Sequence, residues 1–167
     1  MAVAAVIPEE ALVAVVVDFP AVVAALAVVA QEEDGKIMHQ RKFTKQLHHD
    51  NLVAAIRDAE HKTSGEIRVL ISHKSVDDPV AAAQKEFVRL GMTKSPRRNG
   101  VLIFVAPRAH KFAVIGDEAV HTKCGDEFWQ KLAEAMTGYF RKSEFTEGII
   151  HGVRKAGELL AEHFPRS

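Results

Sequence analysis

One cysteine (Cys124), one tryptophan (Trp129) and one tyrosine (Tyr139) are all that this chain of 167 residues holds of those types. A lone thiol excludes an intrachain disulfide and an all-cysteine metal cluster. Net charge is missing too, with 22 Lys and Arg against 22 Asp and Glu. That balance hides an asymmetry. Residues 1–37 carry six acids (Glu9, Glu10, Asp18, Glu32, Glu33 and Asp34) against Lys36 alone, so residues 38–167 are basic by about five charges. Such an excess favours anionic ligands without supplying the dense Lys/Arg stripe of a nucleic-acid binder. The chain also lacks a glycine-rich phosphate loop, a G-x-S-x-G elbow and an H-E-x-x-H helix, so the nucleotide, serine-hydrolase and zincin readings lose their usual motifs. Beyond residue 37 there is no internal repeat and no low-complexity tract.

Long uninterrupted apolar runs are scarce. ALVAVVVDFPAVVAALAVVA (11–30) could reach across a bilayer as a helix, but Asp18 and Pro20 interrupt its centre. As a signal peptide it ends suitably at Val28-Val29-Ala30, yet Glu9 and Glu10 stand where a basic region belongs. An anchor would leave Lys36, Arg41, Lys42 and Lys45 on the cytoplasmic side. The favoured reading starts native translation at Met38. It divides the chain into an Ala/Val-rich acidic extension at 1–37, whether non-native, anchor or signal, and a functional domain at 38–167. Localisation is read as cytoplasmic or membrane-associated, a chain without disulfides being compatible with export as well.

The body alternates helical and strand patterns. Leu52, Ala55, Ile56 and Ala59 recur at helical spacing, predicting a helix over about 50–62 with Asp50 or Asn51 as cap. Thr63-Ser64-Gly65 breaks it and EIRVLIS reads as a strand. Asp77-Asp78-Pro79 opens a second helix, with Val80, Ala83, Phe87 and Leu90 as its buried stripe and Gly91 as its stop. VLIFVA (101–106) has the continuous apolarity of an inner strand, and KFAVIG (111–116) is its hairpin partner. A third helix starts near Gly125-Asp126, and a fourth is lined by Ile149, Val153, Ala156 and Leu160, with Thr146 as cap. Gly148, Gly152 and Gly157 in that last helix suggest close packing on the sheet. This order predicts an α/β three-layer sandwich: a small mixed sheet of about three or four strands with helices on both faces.

In α/β sheets ligands sit beyond the carboxyl ends of parallel strands, which singles out the loops after Ile71, before Val101 and after Ile115. The last, GDEAVHTKCGDEFW, holds Asp117, Glu118, His121, Lys123, Cys124, Asp126 and Glu127. Its carboxylates suit a hard cation that would orient a phosphate, although Asp117 and Asp126 read more simply as helix caps. His121 and Cys124 at i, i+3 lack a third partner for thiol catalysis. Asn99-Gly100 is a turn tolerant of left-handed geometry, or an amide aimed at a ligand, with Arg97 and Arg98 beside it to meet an anion. Antiparallel pairing of the two apolar strands would bring Asn99, Gly116 and Asp117 to one sheet end.

Several motifs in order, Thr63-Ser64-Gly65-Glu66-Ile67-Arg68-Val69, Phe87-Val88-Arg89-Leu90-Gly91-Met92, Arg98-Asn99-Gly100-Val101-Leu102-Ile103, Lys111-Phe112-Ala113-Val114-Ile115-Gly116 and Phe128-Trp129, together resemble the TPM domain over about residues 50–164. That family takes its name from a thylakoid lumen protein, a photosystem II repair protein and an auxiliary subunit of a worm receptor. The chain looks most like its short soluble bacterial branch, without the C-terminal membrane helix and glycine-rich tail of longer relatives. The resemblance implies a mixed sheet between helices. It also implies either acid-phosphatase activity with a divalent cation or an assembly role without catalysis. Family members often carry Asp-Asn-Gly before the central strand and Gly-x-Gly-Leu-Glu with a later Asp after the hairpin. Here Asn99, Gly100 and Gly116 match, Arg98 replaces the Asp, Asp117-Glu118-Ala119-Val120 departs from the second pattern, and Asp126 approximates the later acid. On the phosphatase reading, Arg98, Asn99 and Asp117 are catalytic, and Asn99, Asp117, Glu118 and Asp126 hold Ca²⁺ or Mg²⁺ beside a phosphate-bearing small molecule. On the other, the domain binds a membrane-associated protein, with or without a cation.

Overall fold

The computed structural model describes residues 47–167, apart from the Asp126 side chain, together with the backbone of residues 13–18. Its elements run β1 (Val13–Asp18), α1 (His49–Glu60), β2 (Glu66–Ile71), α2 (Pro79–Arg89), β3 (Gly100–Ala106), β4 (Lys111–Gly116), α3 (Glu118–Arg141) and α4 (Phe145–His163). Apart from the strand at Val13–Asp18, the readings made for residues 1–37 lie outside the described residues.

The sheet has the order β1-β4-β3-β2. β2 runs parallel to β3, which requires the α2 crossover between them, while β3 and β4 form the expected antiparallel hairpin. Strand alternation sorts the central residues onto two cores. Val101, Ile103, Val105, Phe112 and Val114 face α1, α3 and α4, whereas Leu102, Phe104, Ala113 and Ile115 meet Ala83 and Phe87 of α2 together with Met92. Both faces of β3 are thus covered, which is why its sequence is apolar without a break. The three-layer α/β sandwich expected from the sequence is the fold observed.

Local signals acted unevenly. Asp78 caps α2 as expected, its carboxylate accepting from the Val80 and Ala81 amides at 2.9 and 3.1 Å, a contribution of about 1 kcal/mol. At α1 neither Asp50 nor Asn51 precedes the helix, which starts one residue earlier at His49 and has no side-chain cap. Thr146 lies inside α4 instead of capping it. Its hydroxyl accepts from the His48 amide at 3.2 Å, joining the starts of α1 and α4. α3 joins two helical stretches: the first is capped by Asp117, and Gly125 (φ 68°, ψ 177°) interrupts it, so that the second starts near Gly125-Asp126 as expected.

Candidate functional site

The hairpin register places Val101 opposite Gly116, so the residues just outside this pair share one end of the sheet. The Asp117 amide donates to the Gly100 carbonyl at 2.9 Å and the Ala119 amide to the Arg98 carbonyl at 3.1 Å, fastening the two loops together. Asn99 and Asp117 are both buried there, Asp117 completely. The left-handed residue of the turn is Arg98 (φ 49°) and not Asn99, a conformation that costs a residue bearing Cβ on the order of 1–2 kcal/mol.

Compensation comes from the Arg98 side chain. Its Nε lies 3.0 Å from each Asp117 carboxylate oxygen and its Nη2 2.8 Å from Oδ1, while the Glu118 amide also donates to Oδ1 at 2.8 Å. The buried carboxylate therefore neutralises a guanidinium that reaches out to partly exposed surface, and it caps α3 at the same time. Its hydrogen bond to Asp117 is the largest reason that the Arg98 pKa is raised above the ordinary arginine value, so the guanidinium keeps its charge.

Asn99 belongs to a second, adjacent set. Its amide nitrogen donates to Ser64 Oγ at 3.3 Å, and its carbonyl oxygen accepts from Ser95 Oγ at 3.3 Å. Ser64 Oγ also accepts from Arg97 at 2.8 Å, and the Ser64 amide donates to the Phe164 carbonyl at 2.9 Å, tying in the end of α4. Ser64 was legible only as part of the Thr-Ser-Gly motif. Its role depends on a contact across 35 residues of chain that no local pattern announces.

Arg98, Asn99, Asp117 and Glu118 thus come together, with Glu118 exposed on the first turn of α3. Asp126 follows the Gly125 break, and its side chain lies outside the described residues. Among the described donors the Asp117 carboxylate accepts from Arg98 and the Glu118 amide, and the Asn99 oxygen accepts from Ser95, so a cation there would compete with those bonds. Among the described residues no group of three or more His, Cys, Asp or Glu side chains is arranged to hold a metal ion.

The strand directions alter one expectation. Glu66 pairs with Gly100 and Ile71 with Val105, so Asn99 and Asp117 lie at the amino ends of the parallel pair. Of the three loops singled out, only that after Ile71 lies at the carboxyl ends, where the crevice of an α/β sheet forms.

A mixed four-stranded sheet between helical layers, closed at one end by a buried Asn-Gly turn and a helix-capping Asp, defines the structural class. The chain belongs to the TPM domain family, which it matches over residues 40–159. It is similar to the NMR structure of BA42 protein from the psychrophilic bacterium Bizionia argentinensis, with 37% identity and a TM-score of 0.66 over 72% of this chain and 86% of that one. No curated protein matches it. Among the described residues no helix is long and apolar enough to cross a membrane.

Proposed function

We propose that this TPM domain is a binding module that acts without turnover, its partner being a membrane-associated protein as in the accessory members of the family. The observation that carries this reading is the guanidinium of Arg98 on the Asp117 carboxylate. A metal-assisted phosphomonoesterase needs a carboxylate free to hold the ion and a cationic group free to stabilise charge developing on the phosphoryl oxygens. In this chain the two groups satisfy each other. The pair holds the two loops of the sheet end together, while Asn99 and Ser64 hold the neighbouring loops.

The test is hydrolysis of p-nitrophenyl phosphate with and without Mg²⁺ or Ca²⁺, alongside thermal melting in the same buffers. Wild type is expected to show neither cation-stimulated turnover nor a cation-induced rise in melting temperature. Arg98→Asp, which sets two carboxylates side by side, is expected to be destabilised without a cation and stabilised by one. Cation-dependent turnover by wild type, abolished in a folded Asp117→Asn variant, would establish the phosphatase reading instead.

A further inference from the structure

The two sides of the sheet are closed in different ways. At β2 the Ile67 amide donates to Glu60 Oε1 at 3.0 Å, and Glu66 and Arg68 form an ion pair on the same strand. A side-chain acceptor and charges along a strand close an edge to further pairing. On the other side β4 is covered by β1. This strand precedes the TPM match at 40–159, and thirty residues (19–48) separate it from α1. The family domain thus supplies β4, and a segment outside that domain supplies its neighbour.

The place that β1 fills is a slot. α3 approaches it from one face of the sheet and α2 from the other. Along β4 the slot offers Phe112, Ala113, Val114 and Ile115, with Lys111 at one end and Gly116 at the other. The register sets Asp18 opposite Lys111, an acid and a base at facing positions. At the other end Val13 stands opposite Gly116. There the Trp129 indole takes the space of a Gly116 side chain, since a methyl group on Gly116 would overlap its Cζ2. Trp129, the one tryptophan of the chain, therefore stands beside the end of the slot.

We infer that the β4 slot is a strand-acceptor site, which takes an extended apolar segment of a second protein antiparallel to β4, and that β1 is the competing strand held in cis. The chemistry of the occupant is read from β1 itself. Its sequence VAVVVD is rich in β-branched residues, which favour strands, and places an acid opposite Lys111. Main-chain hydrogen bonds to β4 supply affinity, while the apolar positions and the acid supply selection. A tether of thirty residues gives β1 an effective concentration on the order of millimolar at most. A segment in trans binds only the molecules whose slot is open, and its apparent affinity is reduced by that fraction. The inference rests on the binding-module reading, to which it adds a surface and a partner chemistry, and it uses neither Arg98 nor Asn99.

The test is fluorescence anisotropy of a labelled peptide carrying VAVVVD between lysine pairs, titrated with the full chain and with its Val15→Pro/Val16→Pro variant. Successive amides of a strand point to opposite sides, so one of the two prolines removes a hydrogen bond between β1 and β4. The variant is expected to bind the peptide at least about tenfold more tightly than wild type. Binding should change Trp129 emission and shift backbone amide NMR signals centred on residues 111–116, and a peptide carrying VAVVVK should bind more weakly. Asp18→Lys, which sets a like charge opposite Lys111 without a proline, should gain affinity in the same direction, and it keeps the test decisive where the proline variant does not fold. Equal binding by wild type and both variants, equal binding of the two peptides, or shifts that spare β4 would overturn the inference. Dimerisation of the variants through β4 in place of peptide uptake would also overturn it, giving the slot to a second copy. Peptide uptake is read without a phosphoester and turnover without the peptide, so failure of the slot is distinguished from failure of the binding-module reading.

Discussion

Arg98 shows how one side chain redirects a site. From the sequence, Asn99 was the residue expected to take up left-handed geometry and Arg98 a cation for an anionic ligand. In the fold Arg98 is the residue at φ 49°, and its guanidinium turns back onto Asp117. The proximity of Asn99, Gly116 and Asp117 was legible, because antiparallel pairing of two recognisable strands dictates it. The direction of the Arg98 side chain was not, because it depends on a residue 19 positions away being wholly buried. A second residue-scale effect concerns His151, packed beside Tyr139 with ring centroids 5.4 Å apart. Burial first, then the charges of Lys155 and Arg154, hold its pKa below the ordinary histidine value, with Glu158 opposing them. The unfolded chain therefore binds this proton more readily than the folded one. Its contribution to stability is present above the ordinary histidine pKa and is lost as pH falls through the depressed folded value. His151→Gln is expected to reduce the drop in melting temperature between about pH 7.5 and about pH 5.5. An unchanged drop would exclude His151 as a source of acid sensitivity.

Among the elements, α4 packs against both α1 and α3. Its glycines were expected to pack on the sheet, but their nearest neighbours lie mainly on other helices: Phe140 against Gly148, Met136 against Gly152 and Ala59 against Gly157, with Ile103 of β3 also beside Gly152. At Gly157 a methyl group would stand 2.6 Å from the Ala59 Cβ, an atom that cannot swing aside. Gly157→Ala is therefore expected to cost about 1–3 kcal/mol through overpacking of α1 on α4, despite the better helix propensity of alanine. Ala59→Gly in the same chain should recover part of that loss. Denaturant unfolding of the two single variants and the double variant measures the coupling, and strictly additive effects would mean that the helices had separated in another way. This pairing was invisible locally, since Ala59 and Gly157 stand on helices far apart in the sequence.

For the whole molecule, the position of β4 in the sheet matters most. Val13 pairs with Gly116 and Asp18 with Lys111, so β4 has a neighbour on each side. The strand that supplies the outer neighbour precedes the TPM match at 40–159. A chain comprising residues 38–167 leaves β4 as a sheet edge with unpaired backbone groups, and such edges template association. The expected outcome is faster hydrogen exchange at the β4 amides directed towards β1, with concentration-dependent association, relative to the full chain. Equal protection in the two chains would show that β1 contributes nothing to the sheet in solution.

Periodicity and breakers by themselves determined the layer architecture, because alternating apolar patterns can be buried only by stacking helices on both faces of a sheet. They also determined that Asn99 and Asp117 share one end of the sheet, because a hairpin register is short-range. Tertiary structure alone decided that Arg98 neutralises Asp117 and that Ser64 ties down Asn99, both being contacts between loops distant in the chain. It also decided that the crevice of the parallel pair opens at the loop after Ile71, because the parallel direction of β2 against β3 is set by the crossover through α2 and by no residue within either strand.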